Sequence, residues 1–193
     1  MSARILGICG SMRVPSATRY AVEVALRGAA EAGAITEFID IADAGLPFCD
    51  GRDNEDTYPE PVQRFRAMIQ NAQGVIIGTP EYHNSMTGTL KNAIDLCTIR
   101  DFEHKMVGLI GVAGGSIGAI NAINHLRIVM RGVGAWVIPH QVSVNNSEKA
   151  IKELHSEMDP VIYDRLLKLG SDVAKFSKLM TAGIIDPRGM EEV

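Results

Sequence analysis

The sequence predicts an α/β protein: a three-layer α/β/α domain on a five-stranded parallel sheet in the order 2-1-3-4-5. Three observations carry this. Short apolar strands alternate with helical patterns, which implies a parallel sheet with helices on both faces. Residues 74–79 (GVIIGT) and Met106–Val112 (MVGLIGV) are continuous apolar runs, as strands covered on both faces require. A glycine-containing turn follows the first strand, as in doubly wound sheets whose ligands lie beyond the carboxyl ends of the strands.

The elements follow in order. Arg4–Cys9 (RILGIC) reads as a buried strand and residues 16–32 as a helix. In that helix Ala17, Ala21, Val24, Ala25 and Gly28 recur at helical spacing, small enough to let it lie close on a sheet. Residues 35–41 read as a second strand and 43–61 as a long loop rich in Pro, Gly and acids. Loops of that length without structure are usually functional. A short helix covers 62–71, the third strand 74–79, a helix 87–98, the fourth strand 106–112 and a helix 118–131. The last of these is apolar nearly all round (Ile120, Ile123, Leu126, Ile128, Val129, Met130), which predicts burial on two sides, by the sheet or by a subunit partner. A fifth strand begins at 135–138. A closing helix spans 159–180, with a seam of Ile162, Leu166, Leu169, Val173 and Phe176. The whole reads as one domain over residues 1–183 with a C-terminal tail, 184–193.

Composition excludes several classes. With 46% hydrophobic and 22% charged residues among 193, a packed core is expected rather than global disorder. A formal charge of −4 argues against a nucleic-acid surface, which would be strongly basic. Cys9, Cys49 and Cys97 are widely spaced without a CxxC, so no metal centre is indicated. Reduced thiols suit a cytoplasmic protein. No apolar stretch approaches membrane-spanning length, and the run at 5–9 is too short for a secretory signal.

Three unusual segments fall at the carboxyl ends of strands: residues 10–18, 80–88 and 113–118. Their convergence predicts one site. The first, GSMRVPSAT, sets Ser11, Arg13, Ser16 and Thr18 at a helix N-terminus, where unpaired amides and a partial positive charge favour a phosphate. Ser16 also reads as a plain N-cap. A triphosphate loop needs GxxxxGK[ST], and no such Lys is present. A dinucleotide fingerprint needs GxGxxG, and two glycines are missing. Cys9 is too close to Arg13 for the loop of a low-molecular-weight tyrosine phosphatase. A terminal phosphate monoester remains, such as that of FMN.

The second segment, TPEYHNSMTGTLKNAIDL, begins where the third strand ends. Pro80 removes an N–H and turns the chain out of the strand. The amides of Glu81, Tyr82 and His83 would then be free for the edge of a flavin ring, with Tyr82 lining it. The Glu81 side chain reads as a solvated acid or a helix-end partner. His83 reads as a loop histidine, with a general-base role as the alternative; hydride transfer needs no protein base, because a flavin carries the chemistry. In the third segment Gly114, Gly115 and Ser116 allow close approach to a planar ring, or make a tight turn.

With these residues in view the chain resembles the NADPH-dependent FMN reductase family of the flavodoxin-like fold. That family's first-loop pattern, close to GSxRxxSxN, stands here as Gly10, Ser11, Arg13, Ser16 and Thr18. Its second, close to PEYxxSxxGxLKNxxD, stands as Pro80, Glu81, Tyr82, Ser85, Gly88, Leu90, Lys91, Asn92 and Asp95, with His83 where Asn is common. A Gly-Gly-x-x-Gly turn and a Leu-Arg pair stand as Gly114, Gly115, Gly118, Leu126 and Arg127. The resemblance implies FMN, an NADPH or NADH donor, a homodimer or homotetramer, and a small acceptor such as a quinone, azo compound, chromate or free flavin. It implies no catalytic side chain and no metal. An electron carrier of flavodoxin type and an FMN-binding redox sensor remain as alternatives; Arg13 and the mild charge speak against the carrier.

Overall fold

Strand β1 (Arg4–Cys9) pairs in parallel with both β2 (Ile35–Asp40) and β3 (Gly74–Pro80); β4 (Met106–Val112) joins β3, and β5 (Trp136–Val144) closes the edge. The order is 2-1-3-4-5. The chain is seen in a computed structural model that describes residues 2–52, 57–150 and 158–185. From residue 186 on, the expected tail lies outside the described residues.

The continuous apolar strands serve two cores. Ile76, Ile110 and Val112 face helices α1 (Ala17–Glu31) and α7 (Pro160–Thr181), while Val75, Ile77, Val107 and Leu109 face the opposite layer. That second layer holds α2 (Glu60–Asn71), α3 (Gly88–Asp95) and α5 (Ile120–Gly132). Successive strand residues point to opposite faces, so a strand buried on both has no polar face to alternate with.

The small residues of α1 serve a second purpose. A Cβ on Gly28 would overlap the Leu167 carbonyl, and one on Gly170 the Ala25 carbonyl. Thus α1 and α7 meet backbone to backbone while both cover the sheet. In the α7 seam Leu166, Leu169 and Val173 are buried as expected, but Phe176 is 38% exposed and Ser177 takes the buried position.

Several other boundaries differ from expectation: α2, expected from residue 62, starts at Glu60 behind Pro59. The helix expected over 87–98 is two, α3 and a single turn α4 (Ile99–Phe102), because Thr98 and Asp101 form a capping box that restarts it. Asp101 is fully buried and also accepts from Arg66 at 2.9 Å and Gln70 at 2.5 Å, tying α4 to α2. Helix α5 starts two residues late, since Gly118 takes φ +79. It is buried on one side only: Ala122, Ile123, Leu126 and Met130 face the core, while Ile128 is 69% exposed. The fifth strand continues to Val144 past an irregularity in its pairing with β4, and the short helix α6 (Ser147–Ala150) follows it. Pro139 is tolerated there on an edge strand, and Arg127 braces it by donating to the Val137 and Ile138 carbonyls and to Gln141 Oε1.

Candidate functional site

Beyond the carboxyl ends of β1, β3 and β4 lies a cleft of about 180 Å³. Its walls include Ser11, Arg13, Ser16 and Thr18 from the first segment, Pro80, Glu81 and Tyr82 from the second, and Gly114 from the third. The three predicted segments therefore converge. His83, Ser85, Gly115 and Ser116 do not line it.

At the first segment Ser16 is the N-cap of α1, its Oγ accepting from Arg19 N at 3.2 Å. Capping takes one helix amide. The amides of Ala17 and Thr18, on the cleft wall, have no partner among the described residues. Arg19 is held by Asp40 at 2.6 Å and Asp43 at 3.3 Å and stacks over Phe38. The Arg13 guanidinium, by contrast, is exposed and makes no ion pair or hydrogen bond among the described residues. Two free amides and one free guanidinium suit a multivalent anion. Beneath them the fully buried Cys9 thiol is pushed up from 9.0 to about 11 by burial, the Ser11 N–H and the Ser16 hydroxyl only partly offsetting it. A thiol that stays protonated is a poor nucleophile.

At the second segment the expected run of free amides is corrected. Pro80 still pairs with Val112, because it lacks only the donor, and the Glu81 N–H donates to the Val112 carbonyl at 2.9 Å. Tyr82 and Ser85 then exchange both backbone hydrogen bonds, with His83 at φ +51 and Asn84 at φ +63. Positive φ at both central residues makes a type I′ turn. At the hairpin tip the amides of His83 and Asn84 have no partner among the described residues. The hairpin is strapped to α5 at three points: Ala122 N donates to Glu81 Oε2 at 2.9 Å, Asn121 Nδ2 to Asn84 Oδ1 at 3.4 Å, and His125 Nδ1 meets Ser85 Oγ at 3.0 Å. Tyr82 remains 47% exposed at the mouth of the cleft.

At the third segment neither Gly114 nor Gly115 has positive φ, and nothing lies within 4 Å of where a Cβ would stand. Both glycines face open space rather than relieving a turn, and Gly114 does so on the cleft wall. Asn146 N donates to the Gly115 carbonyl, Ser147 N to that of Ala113, and Asn145 Nδ2 to that of Ser116. This brings Ser147 and Glu148 onto the cleft wall, together with Pro15, Ala17, Val112 and Ala113. Sequence reasoning missed Ser147 and Glu148; residues after a fifth strand carry no motif, and only the pairing of β5 brings them here.

Several motif residues do other work. Asn92 accepts from Cys49 N and donates to the Pro47 carbonyl, both at 2.9 Å, pinning the long loop after β2. Lys91 and Asp95 pair one turn apart on the surface.

A doubly wound sheet with unpartnered donors at its first crossover, among the described residues, and an open cleft beside them defines a protein of the flavodoxin-like fold. The chain belongs to the NADPH-dependent FMN reductase family, whose model matches residues 3–149. It is an NAD(P)H-dependent FMN reductase, with FMN as cofactor and a small molecule as acceptor. It is similar to an NADPH azoreductase of Bacillus sp. (35% identical over 143 residues, 74% of this chain and 80% of the relative). A second relative is a 2-hydroxy-1,4-benzoquinone reductase of Burkholderia sp. (34% over 164 residues, 82% and 84%). Its fold matches that of FerB, a flavoenzyme NAD(P)H:(acceptor) oxidoreductase from Paracoccus denitrificans, with TM-score 0.74 and 24% identity over 91% of this chain and 97% of that one. No helix among the described residues is long and apolar enough to cross a membrane.

Proposed function

We propose that the protein transfers two electrons from NADPH or NADH to a quinone, azo compound, chromate or free flavin by a ping-pong scheme. The observation that carries this is a cleft in which Arg13 and the Ala17 and Thr18 amides, without partners among the described residues, stand beside the open Gly114 floor. In this reading Arg13, Ser11, Ser16, Thr18 and the α1 amides hold the phosphate. A hydrogen bond to a charged group is worth about 1.5–3 kcal/mol, so this end supplies much of the affinity.

Pro80, Glu81, Tyr82 and Gly114 bound the ring end, with the His83 amide at the hairpin tip as a further donor. Ser85, Gly115 and Ser116 hold those segments in place through His125, Asn146 and Asn145. Tyr82 is half exposed at the mouth of the cleft, which leaves room for donor and acceptor to approach in turn. FMN, when bound, supplies the hydride chemistry through N5. The protein side chains position it and exclude water from its buried side.

The exposed Ile128 face of α5, beside the hairpin, fits a homodimer or homotetramer. The reduced-thiol composition fits a cytoplasmic setting. Steady-state oxidation of NADPH and NADH by the FMN-loaded protein tests the reading, with benzoquinone or free FMN as acceptor. Parallel double-reciprocal lines are expected. Intersecting lines would overturn the ping-pong scheme, and absence of turnover with every acceptor would leave an electron carrier or sensor instead. Sedimentation equilibrium tests the oligomer.

A further inference from the structure

Thr87 joins the two halves of the cleft from behind. It is buried, and its Oγ1 donates to the Gly10 carbonyl at 2.7 Å while accepting from Leu90 N at 3.2 Å as the N-cap of α3. Its own N–H donates to Thr79 Oγ1 at 3.2 Å, and Thr79 Oγ1 donates onward to the Pro80 carbonyl at 3.0 Å. Gly10, immediately before Ser11, is thus gripped at both ends, since its N–H also donates to the Gly78 carbonyl at 2.8 Å. The grip is tight: a Cβ on Gly10 would stand 2.9 Å from Leu90 Cβ. Through two buried hydroxyls, the start of the anion loop and the exit of β3 share one hydrogen-bonded frame.

We propose that Thr87 is a positioning residue that sets the anion loop, residues 10–18, against the hairpin segment, residues 80–85, so that one FMN molecule is held by both ends at once. The proposal rests on the FMN reading above. A ligand anchored at its phosphate meets the ring-side segment as an intramolecular partner only if the two segments keep a fixed spacing; a loose frame lowers the effective concentration of the second contact. The penalty falls on a ligand that has both ends and spares one that lacks the phosphate. Thr87→Val keeps the side-chain shape but strips the donor from a buried carbonyl and the cap from α3, whereas Thr87→Ser keeps both.

The same bonds would also serve plain stability, so the deciding readout is the ratio of FMN to riboflavin affinity, riboflavin being the same molecule without the phosphate. Both are titrated by flavin fluorescence against wild type, Thr87→Val and Thr87→Ser, with thermal unfolding of each apoprotein recorded. Thr87→Val is expected to raise the Kd for FMN about tenfold, the loss of one hydrogen bond, while riboflavin binding changes less than about twofold. Thr87→Ser is expected to restore the wild-type ratio. Thr79→Val cuts the other half of the frame and leaves the α3 cap in place, so it shifts the ratio the same way and keeps the test decisive if Thr87→Val does not fold. An unchanged ratio in the folded variants, whatever their stability, overturns the proposal alone. Wild-type protein that binds neither flavin overturns the FMN reading and this proposal with it.

Discussion

The Glu81 carboxylate receives the Ala122 N–H at 2.9 Å, so the residue that follows the third strand also caps helix α5. Helix α5 has no cap of its own, since its N-cap position is Ala119. Glu81→Ala should therefore cost about 0.5–2 kcal/mol, as the loss of a capping side chain does. Glu81→Gln keeps an acceptor and loses only the charge–dipole part, about 0.3–1 kcal/mol. Urea unfolding of both apoproteins checks the order; equal losses would show that the hydrogen bond contributes nothing beyond charge.

Arg13→Ala should weaken FMN binding by about 1.5–3 kcal/mol, roughly ten- to a hundredfold, and leave riboflavin binding unchanged. The loss should shrink at high salt, because Arg13 is exposed and screened. Fluorescence titration of both flavins at two ionic strengths measures it. An unchanged FMN affinity would remove Arg13 from the phosphate end.

The hairpin tip places His83 and Asn84 at positive φ, where glycine and asparagine fit better than histidine. His83→Asn should raise stability by about 1 kcal/mol or less, because asparagine enters the left-handed region at lower cost, and β-branched His83→Val should lower it. For a chain of this size a 1 kcal/mol change is a Tm shift of about 2–4 °C, which calorimetry resolves.

Burial pushes the Cys9 thiol from 9.0 to about 11. Between those values the folded state keeps a proton that the unfolded chain has released, so stability falls as pH rises. The contribution is fully present below pH 9 and is lost as pH passes about 11. Two units correspond to roughly 2–3 kcal/mol. Urea midpoints from pH 8 to 11 should fall less steeply in Cys9→Ala. At pH 8 iodoacetamide should label the half-exposed Cys49 and Cys97 before Cys9.

Asp101 is the buried acceptor of Arg66, Gln70 and the Thr98 N–H. Asp101→Asn leaves the Arg66 charge in the interior and should cost about 3–5 kcal/mol. A urea midpoint close to wild type would mean that water reaches the pair.

Strand order and the three converging segments were legible because each rests on local pattern. The apolar run of β3, the Pro80 exit and the Ser16 cap are set by neighbours in the chain. Which motif residues face the cleft was not legible. Asn92 and Arg127 look like site residues in the motif, yet one pins the loop after β2 and the other braces β5. The free amides expected at Glu81 and Tyr82 were consumed by Val112 and Ser85, because a strand can keep pairing past a proline and a four-residue tail can close on itself. Phe176 fitted the α7 seam by spacing, but Ser177 faces inward instead, its hydroxyl packed where Gly74 of β3 leaves room.

By itself the sequence determined the alternation of strands and helices, the parallel order and the residue types at the strand ends, since hydrophobic period and turn chemistry act over a few residues. The tertiary structure alone decided which donors stay free. Arg19 is taken by Asp40 and Asp43 while Arg13 has no partner among the described residues, and Ser147 and Glu148 reach the cleft because β5 pairs beside β4. Hydrogen-bonding capacity is shared among groups distant in sequence, so what remains for a ligand is known only after every partner has been counted.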